Sequence, residues 1–220
     1  MTARGTAATP WAAVVLAGGR SRRMGRRDKT ALKLAGRSLR ERVLGAVAGA
    51  EEVVVVGPEV GPSAGCDGRV VTVRENPPGG GPLAAVEAAL PHVRAEVVVV
   101  LAADLPFAAG VPEALVAALD GASGADGAVP VDAGGRRQPL AAAYRTAALS
   151  ETVAGARPTA GRPFRDVLTR LRVIDVPAAT LPRGALVDVD TPEDWRAALW
   201  MAHRRSPGAV DDVFRGTGAP

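Results

Sequence analysis

Three separated segments carry residue types that could handle a phosphate-bearing substrate and a hard metal ion. The first is Val14-Val15-Leu16-Ala17-Gly18-Gly19-Arg20-Ser21-Arg22-Arg23-Met24-Gly25-Arg26-Arg27-Asp28-Lys29. Ala12 to Leu16 is a short, wholly apolar run, the pattern of a parallel strand covered on both faces. Gly18 and Gly19 then stop it. Without Cβ atoms they let the backbone turn sharply and bring its N–H groups close to a ligand, and the arginine-rich stretch that closes on Lys29 supplies positive charge. That combination suits a polyphosphate. The second segment is Ala102-Ala103-Asp104-Leu105-Pro106, at the end of the most hydrophobic run in the chain, Glu96–Leu101. The third is Asp190-Thr191-Pro192-Glu193-Asp194-Trp195, behind Ala185–Val189. Open parallel sheets bind ligands beyond the carboxyl ends of their strands, so one sheet would gather all three segments on one edge. Aspartate there is a ready oxygen ligand for Mg²⁺. On local pattern alone Asp104 serves equally as a turn residue before proline, and the third motif serves equally as a helix start with Thr191 as N-cap and Pro192 at the first helical position.

Two familiar phosphate motifs fail on spacing. A P-loop needs G-x-x-x-x-G-K-[ST], whereas five residues separate Gly19 from Gly25 and Arg26 follows. The G-x-G-x-x-G dinucleotide fingerprint is absent from this loop. What remains, L-A-G-G-x-S-x-R-M-G-x-x-D-K, resembles the signature loop of the MobA-like nucleotidyltransferases, the family that includes molybdenum cofactor guanylyltransferase. D-x-P after a buried strand resembles that family's second signature, and Asp190-Thr191-Pro192-Glu193-Asp194 its third, [ND]-T-P-E-[DE]. The resemblance runs in order through about the first 200 residues.

The resemblance implies a fold, a reaction and a set of residues. The fold is a single-domain, Rossmann-like three-layer α/β/α structure with a mostly parallel sheet, of the nucleotide-diphospho-sugar transferase type. The reaction moves GMP from GTP to molybdenum-bearing molybdopterin, forming the guanine dinucleotide cofactor and pyrophosphate. Leu16, Ala17 and Gly18 would offer backbone groups to the base, and Gly18 and Gly19 would approach the triphosphate. Arg23 and Lys29 would neutralise its charge, and Asp104 and Asp190 would hold Mg²⁺. The Gly81-Pro82-Leu83 segment would lie along the nucleotide, with Asn76 just before it. A hairpin further on would face the second substrate through Arg137, Gln138 and Tyr144, or else be plain surface.

Two departures bear on base choice. Asp190 stands where guanylyltransferases of this type often carry asparagine, and Asn76 occupies the neighbourhood of an expected aspartate. A CTP-dependent cytidylyltransferase of the same cofactor and a sugar-phosphate nucleotidyltransferase are therefore alternatives. A catalytically silent carrier that passes molybdopterin on is another, against which Lys29, Asp104 and Asp190 argue. By the same resemblance, the product's recipient would be a molybdoenzyme or its chaperone.

Composition bounds the rest. The chain has 220 residues, 47% of them hydrophobic but only 3% aromatic, so its core must be built mainly from Ala, Val and Leu. Its net charge of +4 and isoelectric point near 10.1 could suggest nucleic acid. Yet only Lys29 and Lys33 among the 27 basic residues are lysines, so arginine is a bias of the whole chain rather than of one face. Aromatics for base stacking are scarce, which argues against that reading. Cys66 is the only cysteine, consistent with a reducing cytoplasm and no disulfide, and its Gly/Pro-rich surroundings offer nothing to activate it. His92 and His203 lie far apart and read as helix-end or surface residues. No run is long enough for a membrane helix, and residues 1–10 lack the apolar core of a signal peptide, so a cytoplasmic protein is expected.

Strands are expected at Ala12–Leu16, Glu52–Val56, Arg69–Arg74, Glu96–Leu101, Gly127–Val131, Pro139–Arg145, Arg172–Val176 and Ala185–Val189. A helix follows the Ser38-to-Glu41 capping box. Others are expected at Leu83–Leu90, Val111–Leu119, Ala147–Ala156 and Pro163–Arg172, and from Thr191 through Trp200, the last packing on the sheet through Trp195, Leu199 and Trp200. Residues 1–10 are expected to fray and 204–220 to form a flexible tail, with the nucleotidyltransferase domain over 11–203.

Overall fold

The computed structural model describes residues 9–18, 29–58 and 70–205. Nine strands and five α-helices are described: β1 Trp11–Leu16, β2 Lys33–Leu34, β3 Arg37–Ser38, α1 Leu39–Ala46, β4 Glu52–Val56, β5 Val70–Val73, α2 Pro82–Ala89, β6 Val97–Ala102, α3 Val111–Asp120, β7 Gly127–Val131, β8 Ala141–Arg145, α4 Thr146–Ala154, β9 Val173–Pro177 and α5 Pro192–Arg205.

Seven of the strands form one sheet in the order β5-β4-β1-β6-β8-β7-β9. β4, β1 and β6 pair in parallel, with Val14 opposite both Val54 and Val100. Every residue of β1 is buried, and β6 is buried over all but its last residue. This is the reason for their unbroken apolar sequences, since a strand with helices on both faces has no solvent side on which to alternate. β8 is the one strand of this sheet that runs against the rest, pairing antiparallel with β6 and with β7. β7 then pairs in parallel with β9.

Successive side chains of each strand feed opposite layers. Ala13, Val15, Val53, Val55, Val97 and Val99 pack with Val43 and Leu44 of α1 and Leu115 and Leu119 of α3. Val14, Val54, Val98 and Val100 pack with Leu83 and Val86 of α2 and Leu149 and Val153 of α4. The three layers are thus α/β/α, as expected.

Helix starts follow their sequence signals. Ser38 and Glu41 form the reciprocal capping box, the Glu41 amide donating to Ser38 Oγ at 3.1 Å and the Ser38 amide to Glu41 Oε2 at 2.6 Å. Gly81, with φ +92°, is the N-cap of α2, and Pro82 occupies its first turn.

Several expectations are corrected. Ala185–Val189 is not a strand. The Ala185 and Val187 amides are taken by the nearby Pro182 and Gly184 carbonyls, and the Val189 amide by Asp104. Pro163–Arg172 is not an α-helix but a run of tighter 3₁₀ turns over Phe164–Arg170, which drives Phe164 and Val167 into the core. β2 and β3 are too short to leave a pattern, and they turn through Ala35 and Gly36, both at positive φ. α5 packs not on the sheet but on a third small cluster with Leu34, Leu39, Phe107 and Val189. Trp200 is 61% exposed, with the Arg204 guanidinium lying over its ring. His92 and His203 are exposed, as expected. Residues 1–8, Cys66 and residues 206–220 lie outside the described residues. Among those described, no helix is long and apolar enough to cross a membrane.

Candidate functional site

The site grows from the carboxyl ends of β1, β4, β5 and β6, where backbone bonds lock the exits together. After β1, the Ala17 amide donates to the Val56 carbonyl at 2.8 Å, and the Leu16 carbonyl accepts from the Ala103 amide at 3.0 Å. The Gly57 amide donates to the Val73 carbonyl at 3.0 Å. Gly57 is packed so closely that a β-carbon on it would stand 2.9 Å from Ala17 C and from Gly18 N. The glycine after β4 is therefore what lets the turn after β1 approach it. A β-carbon on Gly18 would in turn stand 3.8 Å from Glu75 Oε1. The Glu75 carboxylate also accepts the Gly79 amide at 2.9 Å, fixing the start of the loop that leads to α2. A carboxylate beside the β1 turn is an acceptor for ribose hydroxyls or base N–H groups.

The expected nucleotide residues divide. Leu16 and Ala17 are buried, and the Leu16 carbonyl and Ala17 amide already bond within the fold. Gly18 is exposed at the mouth of the site. Gly19 and Arg23 lie outside the described residues, as does the side chain of Lys29, whose backbone opens the 3₁₀ turn Lys29–Ala31. Asn76 and Pro82 are exposed, and Gly81 is half-buried with space around its Cα. Leu83 points its side chain into the core, so only its backbone faces the loop.

Asp104 follows β6 and is half-buried. Its carbonyl accepts from the Val189 amide at 3.1 Å, which brings the Asp188–Asp190 segment against it although 84 intervening residues separate Asp104 from Val189 in sequence. The carboxyl of Asp188 is held above the usual aspartate range by desolvation first, then by the charges of Asp190, Asp104 and Asp194. Three neighbouring carboxylates thus bear on Asp188. Asp194 serves the architecture. Its Oδ2 accepts from the Asp190 amide at 3.1 Å, the Thr191 amide at 2.8 Å and the Thr191 hydroxyl at 2.8 Å, while its own amide donates to Thr191 Oγ1. This reciprocal cap starts α5 and holds Asp190 at its mouth.

Among the described residues no group of three or more His, Cys, Asp or Glu side chains is arranged as a protein-only metal cage. The donor set nevertheless suits Mg²⁺, which binds through one or two carboxylates and completes its shell with water and substrate phosphates.

The residues expected to face a second substrate are placed differently. Tyr144 is fully buried on β8, its hydroxyl donating to the Pro139 carbonyl at 2.8 Å and its ring meeting Phe164 edge-on. Burial pushes its hydroxyl pKa well up. β8 is an internal strand, so its side chains fill the two core layers. Arg137 pairs with Asp175 at 2.7 Å, and Gln138 donates to Asp132 at 2.8 Å. A cavity of about 380 Å³ at this end is lined by Val131, Asp132, Ala133, Asp175, Pro177 and Ala178 among others.

Sequence reasoning missed Gly57, Glu75 and Asp188. Asp188 had a visible signal, the V-D-V-D alternation before Thr191. Gly57 read as an ordinary turn, and Glu75 as the start of a loop.

Residues 13–173 match the family described as MobA-like NTP transferase domain. A curated relative, the probable molybdenum cofactor guanylyltransferase of Clostridium perfringens, is 34% identical over 95 residues, 43% of this chain and 47% of that protein, so the match spans about half its length. The solved structure of molybdopterin-guanine dinucleotide biosynthesis protein A from Archaeoglobus fulgidus aligns with a TM-score of 0.70 at 27% identity, over 88% of this chain and 99% of that one. 2-C-methyl-D-erythritol 4-phosphate cytidylyltransferase from Thermus thermophilus aligns with a TM-score of 0.62 at 25% identity, over 87% and 98%.

Proposed function

Because this chain belongs to the family of MobA-like NTP transferase domains, we propose that it transfers GMP from GTP to the phosphate of molybdenum-bearing molybdopterin, with release of pyrophosphate. The observation that supports this reading is the bond from the Val189 amide to the Asp104 carbonyl, which brings the segment that carries Asp190 to the carboxyl end of β6, next to the β1 exit that leads to Gly18. The relatives from C. perfringens and A. fulgidus support the choice of substrates.

In this reaction an ionised phosphate oxygen of the second substrate forms a bond to the α-phosphorus. The α–β anhydride bond breaks, and pyrophosphate leaves with its electron pair. The nucleophile arrives already deprotonated, since the second ionisation of a phosphate monoester lies near pH 6. No protein nucleophile is needed, and the chain contributes positioning and charge neutralisation. Gly18 would place backbone N–H groups by the triphosphate, while Arg23 and Lys29 would offset its charge. Glu75 would accept from the nucleoside, and Gly81 would leave room for it. Asp104 and Asp190 would hold Mg²⁺, which supplies charge stabilisation at the α-phosphate when bound. Asp194 fixes Asp190 through the α5 cap.

Calorimetric titration with GTP, CTP, ATP and UTP, with and without Mg²⁺, tests the reading, followed by turnover of GTP with molybdopterin. Mg²⁺-dependent preference for GTP is the expected result. Preference for CTP moves the assignment to a cytidylyltransferase, a reading favoured by Asp190 standing where guanylyltransferases often carry asparagine. Failure to bind any nucleotide refutes the transferase.

A further inference from the structure

The Pro77–Gly81 loop is held from the far half of the chain. Gly80 sits where a β-carbon would stand 2.9 Å from the Pro77 carbonyl oxygen, 3.0 Å from the Ala84 β-carbon and 3.7 Å from the Ala160 β-carbon. Its amide donates to the Pro77 carbonyl at 2.9 Å, closing the loop on itself. Its carbonyl accepts from the Gly161 amide at 2.7 Å. Gly161 belongs to the connection 155–163, which joins α4 to the 3₁₀ turns. That connection makes a second attachment to the helix the loop leads into: Thr159, only 4% exposed, donates its hydroxyl to Glu87 Oε2 on α2, and Arg157 donates to Glu87 Oε1. The connection is itself stiffened, with the Arg162 amide donating to the Thr159 carbonyl at 3.2 Å and its guanidinium to the Ala156 carbonyl. Glu87 is held below the usual glutamate range by the Thr159 hydroxyl first and then by Arg157, despite the opposing effect of desolvation.

We infer that Thr159 is a positioning residue for the nucleotide: with Arg157 it anchors Glu87 and thereby seats Gly161 on Gly80, fixing the backbone that opens α2. The inference rests on the reading of Gly81 to Leu83 as a nucleotide contact. A loop pre-set in its bound shape spares the ordering entropy that a free loop would lose on binding. Because that saving applies to bound substrate and transition state alike, loss of the anchor should appear in KM rather than kcat.

The test compares wild type with Thr159→Val, which keeps the shape and loses the hydroxyl, Thr159→Ser, which keeps the hydroxyl, and Arg157→Ala, a milder change at an exposed side chain. Amide hydrogen exchange of Gly79, Gly80 and Gly81, the loop residues that carry an amide hydrogen, is measured without ligand, and affinity is measured with Mg²⁺-GTP well below each variant's Tm. Thr159→Val is expected to speed exchange of that segment and to weaken GTP binding about five- to tenfold, the scale of one hydrogen bond's net contribution. KM should rise with kcat within about twofold, Thr159→Ser should restore both readouts, and Arg157→Ala should fall between. A Thr159→Val protein with a lowered Tm but wild-type exchange and GTP affinity overturns the inference, marking the contact as structural only. If Thr159→Val does not fold, unchanged exchange and affinity in Arg157→Ala overturn it instead. A wild-type protein that binds no nucleoside triphosphate overturns the nucleotide reading, while faster exchange in Thr159→Val would still establish the anchor.

Discussion

The Val189 amide donates to the Asp104 carbonyl at 3.1 Å, and the amide of Ala103, the residue before Asp104, donates to the Leu16 carbonyl at 3.0 Å. Two backbone bonds therefore tie the end of β1, the residues after β6 and the Asp188–Asp190 segment to one another before any side chain acts. Since the carboxylates of Asp104 and Asp190 play no part in those bonds, Asp104→Asn and Asp190→Asn should each preserve the fold. Each should lower Mg²⁺-dependent kcat by about 10²–10³-fold, the range for loss of one preorganised electrostatic group. In the proposed reaction both would hold the same ion, so the double variant should cost little more than the worse single one. Full additivity in the double-variant cycle, with unchanged circular dichroism, would show that the two do not share a metal.

Gly57 is the second point on which the site depends. Adding a methyl group there forces atoms into the Ala17–Gly18 peptide at 2.9 Å, which is backbone and cannot swing aside. Gly57→Ala should destabilise the protein by about 2 kcal/mol, as overpacking and backbone strain do, and also weaken nucleotide binding because Gly18 must shift. Urea denaturation and GTP titration measure the two effects. A stable variant with wild-type affinity would mean that the β1 turn can move without consequence.

Much of the site's edge was legible because its strands announce themselves. The valine runs of β4 and β6 can hardly be anything but strands covered on both faces, and Pro106 punctuates the turn that carries Asp104. The capping signals at Ser38 and Thr191 are local chemistry, and local chemistry survives folding. Strand order is not local. Nothing in Ala141–Arg145 says that β8 enters between β6 and β7, yet that insertion decides that Tyr144 is core. The tie of Val189 to Asp104 is of the same kind, a contact made by a segment, Ala185–Val189, whose own sequence would equally suit a sheet strand. Glu75 was obscured because a glutamate before Asn-Pro looks like loop, and its meaning comes from Gly18 beside it in space.

Tyr144 is the residue at which burial and the expectation of substrate contact conflict most sharply. Its hydroxyl donates to the Pro139 carbonyl within a fully buried setting. Tyr144→Phe leaves that carbonyl without its donor and should cost about 1–2 kcal/mol of stability. Its kcat and KM for nucleotide and second substrate should stay within about twofold of wild type. A rise in KM for the second substrate at unchanged stability would return Tyr144 to the binding surface.

Asp126 ties the outer strands together, and its protonation gives a pH test. Oδ2 accepts from the Arg172 amide at 2.9 Å and from Nε at 3.2 Å, and Oδ1 accepts from Nη2 at 3.1 Å. The Arg172 side chain first, then its amide, hold the Asp126 carboxyl below its usual range. A carboxyl with a lowered native pKa stabilises the fold above its unfolded pKa, about 3.9 for aspartate, and that contribution is lost as pH falls through the native value. Asp126→Asn should therefore be less stable than wild type at pH 5–8, by about 1 kcal/mol given how exposed Arg172 is. The two stability curves should converge as pH drops below about 4. Urea midpoints from pH 2.5 to 8 measure the gap, and a gap that stayed constant across the whole range would show that the ion pair contributes nothing through its charge.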